Sequence, residues 1–275
     1  MELSNEQLSE LKEQELSILR SFIQVCQQLN LKYYVLGGTL LGAVRHHGFI
    51  PWDDDIDVGM LRCDYEKFLT HGQKLLPDGL FLQTYQTDPE YPANFTKIRN
   101  SNTTFVEHSI KDRNINHGIY IDIFPLDFYP DNNHNLFDIK NLLLTIRITD
   151  AFSINTAKRK TKFLRFFTRF LYPSVEDALQ KREKLFKSVK KGQYIANFCG
   201  AWGKKEIVPA HWYGDGTYLS FEQMEVTAPS YYHEWLTQVY GDYMQLPSPE
   251  NRRPHHQVAA FDLHNPYTNY LEGKY

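Results

Sequence analysis

Apolar residues in the first thirty positions recur every three or four places (Leu8, Leu11, Ile18, Leu19, Phe22, Cys26, Leu29), the period of a helix with one buried stripe. Ser4 and Gln7 stand where a capping box would open that helix, and Asn30 where it would stop. The pattern then shortens. Residues 33–36 read as a strand, Gly37-Gly38 as a turn, 39–46 as a short helix and 55–60 as a strand in which Ile56 and Val58 alternate with acids. A helix is expected over 62–76, ended by Pro77-Asp78-Gly79, followed by short strands near 81–85, 95–99 and 103–106. In residues 118–127, Ile119, Ile121 and Ile123 alternate with Tyr120, Asp122 and Phe124, which gives one apolar face and places Asp122 on the other. An apolar helix is expected over 134–148. Residues 193–217, rich in Gly, Trp and Tyr, read as loops and short strands beside a cleft.

Short strands interleaved with helices indicate an α/β fold. The expected division is a mixed-sheet part in residues 1–130 and a largely helical, basic part in 131–275. Of 275 residues, 42% are hydrophobic and 15% aromatic, ample for a core. Three scattered cysteines, Cys26, Cys63 and Cys199, make neither a disulfide framework nor a zinc cluster. The N-terminus is acidic and lacks an apolar signal core, and no apolar run is long enough to span a bilayer, so a cytosolic chain is expected.

Charge changes the picture in one window. Residues 151–192 hold twelve Lys or Arg against three acids, and in 158–171 these cations interleave with Phe163, Phe166, Phe167 and Phe170. A basic helix with bulky apolar residues suits the surface of an anionic membrane. The same pattern would also fit a helix that buries its phenylalanines and solvates its lysines. No nucleic-acid-binding module accompanies the charge, so no nucleic-acid partner is expected.

The chemistry concentrates in residues 33–60. Gly37 and Gly38 permit a sharp turn and close backbone approach, and a helix opening at Thr39 aims free amides and its positive dipole end into that turn, which makes a phosphate seat. Asp55 and Asp57 leave a strand on one face and can converge on Mg²⁺. A calcium loop does not fit, since Val58 and Asp64 stand where it needs Gly and Glu. Arg45 ends the short helix, and Lys97 and Arg99 share a strand face from which they could meet a diphosphate, although isolated bases on strands also serve as solvated edges. Trp52, Trp202, Trp212, Tyr213 and Trp235 are candidates to hold a cationic headgroup by cation-π attraction.

GGTLLGAVRHHGFIPWDDDIDVGM, GIYIDIFPLD and YGDYMQLP resemble the LicD/fukutin family, within the nucleotidyltransferase superfamily. The resemblance implies a nucleotidyltransferase-like sheet, with Asp122 as the third acid of a metal site beside Asp55 and Asp57. It implies Mg²⁺, or Mn²⁺, as cofactor, and transfer of a phospho-alcohol, phosphocholine from CDP-choline first, to a hydroxyl of a teichoic acid or lipopolysaccharide sugar with release of CMP. Gly37, Gly38, Thr39, Arg45, Trp52 and Lys97 are the expected substrate contacts, and Arg252 and Arg253 further phosphate contacts. Two other readings stay open: a nucleotidyltransferase that releases pyrophosphate, and a noncatalytic membrane-associated partner protein.

Overall fold

A computed structural model describes residues 3–152 and 159–273. It opens with α1 (Asn5–Leu29), whose N-terminus carries the capping box of Ser4 and Gln7 and whose end is closed by Asn30 in the left-handed conformation. Leu11, Ile18, Leu19, Phe22 and Cys26 form its buried stripe. This helix packs across the back of the central sheet, touching β4 (Thr96–Asn100) and β6 (Ile119–Tyr129).

The sheet runs β1 (Tyr34–Val35), β2 (Asp57–Leu61), β6, β4 and β3 (Leu80–Gln83), with β2 and β6 parallel and the other pairs antiparallel. Between β1 and β2 lies α2 (Gly37–His46), and α3 (Arg62–His71) follows β2 without a break. The strand β6 is the axis of the molecule. Its first half lies between β2 and β4, and its last residues pair with β7 (Tyr194–Ala196), which in turn pairs with β8 (Ile207–Pro209). Nine of its eleven residues are buried. Ile119, Ile121 and Ile123 fill one side as their alternation requires, while the other side carries Tyr120, Asp122 and Phe124.

Outside the sheet, β5 (Thr104–Glu107) pairs with β11 (Val258–Asp262), and β9 (Thr217–Phe221) forms a hairpin with β10 (Met224–Ala228). The remaining elements are α4 (His134–Ile148), α5 (Arg159–Leu171), α6 (Val175–Lys187), α7 (Tyr232–Tyr240) and α8 (Tyr267–Leu271). One hydrophobic cluster joins Phe22, Leu36, Val58 and Ile121 to Tyr213, Phe221, Trp235 and Val239, so both sides of position 130 contribute to it.

The elements expected from the sequence recur with shifted bounds: β1 and β2 are shorter, with Asp55 left in the loop before β2, β6 runs on to Tyr129, and α2 starts at Gly37 rather than Thr39. On α5 the side chains do not follow the buried alternative. Phe163, Phe166 and Phe170 are 74%, 75% and 84% exposed, so the helix turns its rings outward. Leu136, Ile139 and Leu142 of the adjacent α4 are exposed as well. Lys158, the first residue of the basic segment, lies outside the described residues. Among the described residues no helix is long and apolar enough to cross a membrane.

Candidate active site

The parallel pairing of β2 with β6 sets Asp57 opposite Asp122, and the antiparallel pairing of β6 with β4 sets Asp122 opposite Lys97. Register partners on neighbouring strands stand about 5 Å apart and direct their side chains to the same face. The three residues therefore form a row across the sheet. Lys97 Nζ donates to Asp122 Oδ1 at 2.8 Å, and both side chains are almost fully buried. Asp55, two residues before Asp57, comes from the loop that leads into β2.

That loop is held at both ends. Thr39 Oγ1 accepts from the Asp57 amide at 2.8 Å, and Asp54 accepts from the amides of His255 and His256 at 3.1 Å each. The closing segment of the chain is thereby fastened to the acid loop. One ligand atom from each of Asp53, Asp54, Asp55 and His255 lies within 4.8 Å of the others.

The Gly37-Gly38 turn faces these acids. Gly37 has φ +53°, a conformation that favours glycine, and a Cβ there would lie 2.7 Å from Asp57 Oδ2. At Gly38 a Cβ would come within 2.3 Å of Asp53 Oδ2. The glycines thus let two carboxylates reach the positive end of α2, where an anion was expected to sit. A cavity of about 860 Å³ opens beside them. Its lining includes Gly37, Gly38, Asp53, Asp55, Asp57 and Asp122, and from the second half of the chain Trp202, Glu206 and Tyr240.

Arg45 and Trp52 also line this cavity, with Arg45 Nη1 donating to the Tyr243 carbonyl at 2.7 Å. Thr39 and Lys97 do not line it: the hydroxyl of Thr39 holds β2, and Lys97 lies behind Asp122. Arg99 is fully buried and bonds Gln83 and the Gly118 carbonyl, so it braces the sheet instead of facing a diphosphate. Of the aromatic candidates, Tyr213 and Trp235 are core residues, Trp212 packs against the core, and Trp52 and Trp202 reach the cavity. Arg252 lies over the Trp52 ring, 5.6 Å from its centroid.

Burial pushes the carboxyls of Asp53 and Asp57 well above the usual range, and Asp55 pushes both further by like-charge repulsion. Asp55 and Asp122 are raised as well, chiefly by burial, with Lys97 opposing the rise at Asp122. The neighbouring bases are already engaged: His256 Nδ1 lies 3.3 Å from Asp54, and Lys97 serves Asp122 and, at 3.8 Å, Glu107. At His256, burial is outweighed by hydrogen bonding to Asp54 and by Glu107, and its pKa rises to about 9. Asp55 and Asp57 pair with no base among the described residues. Carboxylates that line one cavity, repel one another and, at Asp55 and Asp57, pair with no base among the described residues fit a divalent cation of the Mg²⁺ or Mn²⁺ kind. The tightest cluster of ligand atoms, however, is that of Asp53, Asp54, Asp55 and His255 and leaves out Asp57 and Asp122.

Several residues at this site gave no signal in the sequence. Asp53 stood in an acidic run that invited only a calcium-loop test. His255 and His256 lie two hundred residues from their partner Asp54, and Glu206 is a single acid after two lysines.

The domain model described as "LicD/FKTN/FKRP, nucleotidyltransferase domain" matches residues 30–145. The lipopolysaccharide cholinephosphotransferase LicD of Haemophilus influenzae is 30% identical over 267 residues, covering 92% of this chain and 98% of that protein. An uncharacterized protein of Rickettsia prowazekii is 37% identical over 115 residues, 40% of this chain and 39% of its own length. The ribitol 5-phosphate transferase FKRP of Homo sapiens is 44% identical over 41 residues, 15% of this chain and 8% of that protein.

Proposed function

The chain belongs to the LicD/FKTN/FKRP family and is a LicD-type transferase, and from that premise we propose that it moves phosphocholine from CDP-choline to a hydroxyl of a cell-surface glycan. The observation that carries this reading is the row of Asp57, Asp122 and Lys97 across β2, β6 and β4, of which the two acids line one cavity with the Gly37-Gly38 turn while Lys97 backs Asp122. The Haemophilus relative is named for lipopolysaccharide, which makes a lipopolysaccharide sugar the leading acceptor and a teichoic acid the second.

In the proposed reaction the acceptor oxygen bonds to the choline-bearing phosphorus, the bond from that phosphorus to the bridging oxygen breaks, and its electron pair leaves with CMP. Asp55, Asp57 and Asp122 would hold Mg²⁺, which when bound neutralises charge on the diphosphate. Lys97 pairs with Asp122 and opposes the rise of its pKa, which leaves that carboxylate less free to take up the acceptor proton. The acceptor proton passes more readily to Asp53, which burial and Asp55 make more basic. Arg45, tied to the Tyr243 carbonyl, and Trp52 stand at the same cavity to position the nucleotide end.

The exposed rings of α5 and the exposed leucines of α4 support a further part of the reading: contact with the anionic inner leaflet, where a lipid-linked acceptor would be met. Arg159, Lys160 and Lys162 stand in the first turn of α5, and each cation near such a surface contributes about 1 kcal/mol.

The test is to incubate the purified protein with Mg²⁺, CDP-choline and acceptor and to identify the nucleotide product. CMP is expected; pyrophosphate from a nucleoside triphosphate would favour nucleotidyl transfer. Asp55→Asn, Asp57→Asn and Asp122→Asn should each cut turnover by about 10²-fold or more. Retention of near wild-type turnover by all three would remove the catalytic reading and leave the noncatalytic partner protein.

A further inference from the structure

Glu206 is an acid that the proposed chemistry does not use. It is only 3% exposed, yet its carboxylate lies among residues that line the cavity. The loop of residues 197–206 wraps it closely: the Trp202 amide donates to Oε1 at 2.9 Å, and the Asn197 side chain supplies a second bond. A Cβ on Gly200 would come within 2.1 Å of Oε1. What the group lacks is a counter-charge. Two neutral donors hold it, and no base among the described residues forms an ion pair with it.

An ionised carboxylate out of water without a cation is unfavourable, and proteins that keep one pair it with something. The partner that Glu206 lacks inside the protein can come through the cavity. Two aromatic rings, Trp202 and Tyr240, line the same cavity. Trp202 and Tyr240 meet edge to face with centroids 4.8 Å apart, and Tyr240 is close enough to feel the charges of both Glu206 and Asp57. Tyr240 therefore bridges the acid site and the Glu206 end of the same cavity. The Trp202 ring already attracts one cation: the ammonium of Lys205, held by the Val239 carbonyl, lies 5.5 Å from its centroid. An indole face, a phenol and a buried carboxylate together match a bulky cation that is too weakly hydrated to remain in water.

We propose that Glu206, with the rings of Trp202 and Tyr240, is the seat of the donor's quaternary ammonium headgroup and the source of selectivity for a cationic over a neutral phospho-alcohol. This rests on the donor reading above, from which it is separable by experiment. The carboxylate supplies the missing counter-charge, the rings supply area and cation-π attraction, and Glu206 and Asp57 line the same cavity, so one donor can reach both. A neutral polyol headgroup would leave Glu206 buried and unpaired. Glu206 binds and selects; it has no part in the bond-making step.

The test compares CDP-choline with its uncharged isostere, in which a tert-butyl group replaces the trimethylammonium. The wild-type protein should favour CDP-choline by about 10-fold or more in kcat/KM, with the difference in KM. Glu206→Gln retains an acceptor for the Trp202 amide. It should bring that ratio near unity by weakening CDP-choline while using the neutral donor as well as the wild-type protein does. A Tm at or above the wild-type value in the absence of donor will show that the variant folds. An unchanged preference in Glu206→Gln, or equal loss for both donors, would overturn the assignment. If the wild-type protein releases CMP from neither donor, the donor reading falls and the seat is decided by titrating phosphocholine alone. Binding that Glu206→Gln abolishes supports it; equal binding by both proteins, or none by the wild type, overturns it.

Discussion

Asp57 carries the sharpest conflict at the scale of single residues. It sits at the positive end of α2 beside Asp53, Asp55 and Asp122, and burial and repulsion raise its pKa well above the ordinary value. A carboxyl raised on folding lowers stability as pH climbs from the unfolded value of about 4 through the folded one, because the unfolded chain gives up its proton first. The metal-free wild-type protein should therefore lose Tm over that rising interval. Asp57→Asn should flatten the profile and melt higher at neutral pH, while adding Mg²⁺ should stabilise the wild type far more than the variant. Differential scanning fluorimetry with and without chelator checks both, and a variant that melts lower than wild type in chelator would refute the repulsion argument. Alternation along 55–60 and 118–127 singled out Asp57 and Asp122, because a strand dictates the face of each side chain, whereas Asp55 reaches the cavity from the loop before β2. It could not place Asp53, His255 or Glu206, whose positions depend on loops meeting across the fold. The same limit explains Arg99: strand alternation put it on a face with Lys97, but whether that face was solvent, core or cavity was decided by Gln83 and Gly118.

Among the elements, α5 is the one whose environment is incomplete. Arg165 and Arg169 pair with Asp150, and Thr168 is buried, so one side of the helix is anchored while the phenylalanines point away. Rings this exposed on one helix are unusual for a surface facing only water. Replacing Phe163, Phe166 and Phe170 together by Ser should abolish co-sedimentation with vesicles containing anionic lipid, while CMP release with a soluble acceptor stays within about two-fold of wild type. Unchanged sedimentation of the triple variant would remove the membrane role. The basic, aromatic composition of this segment was plain in the sequence, but two destinations fitted it. The packing of α4 and α5 excludes the buried one, which the sequence could not do, since hydrophobic periodicity shows which residues share a face and not what that face meets.

At the scale of the molecule, the shared hydrophobic cluster ties the sheet to residues that follow position 130. Interleaving of this kind predicts one cooperative thermal transition, shifted upward as a unit by Mg²⁺ with CDP-choline; two resolved transitions by calorimetry would contradict it. The α/β class and the order of elements up to β6 were readable in advance because each element there has its own periodicity. The return of β7 to β6 and of β11 to β5 was not, since pairing over such separations leaves no local pattern. Finally, β6 runs unbroken from Asp122 to Tyr129, where the Tyr129 hydroxyl bonds Asp138 of α4 at 3.1 Å and the ring meets Phe137. Seven residue steps along the strand make a stiff strut of about 23 Å. If a bilayer bears on one end and chemistry occurs at the other, the protein acts as a caliper: it would modify the hydroxyl standing at that height above the lipid and pass over identical sugars set lower or higher.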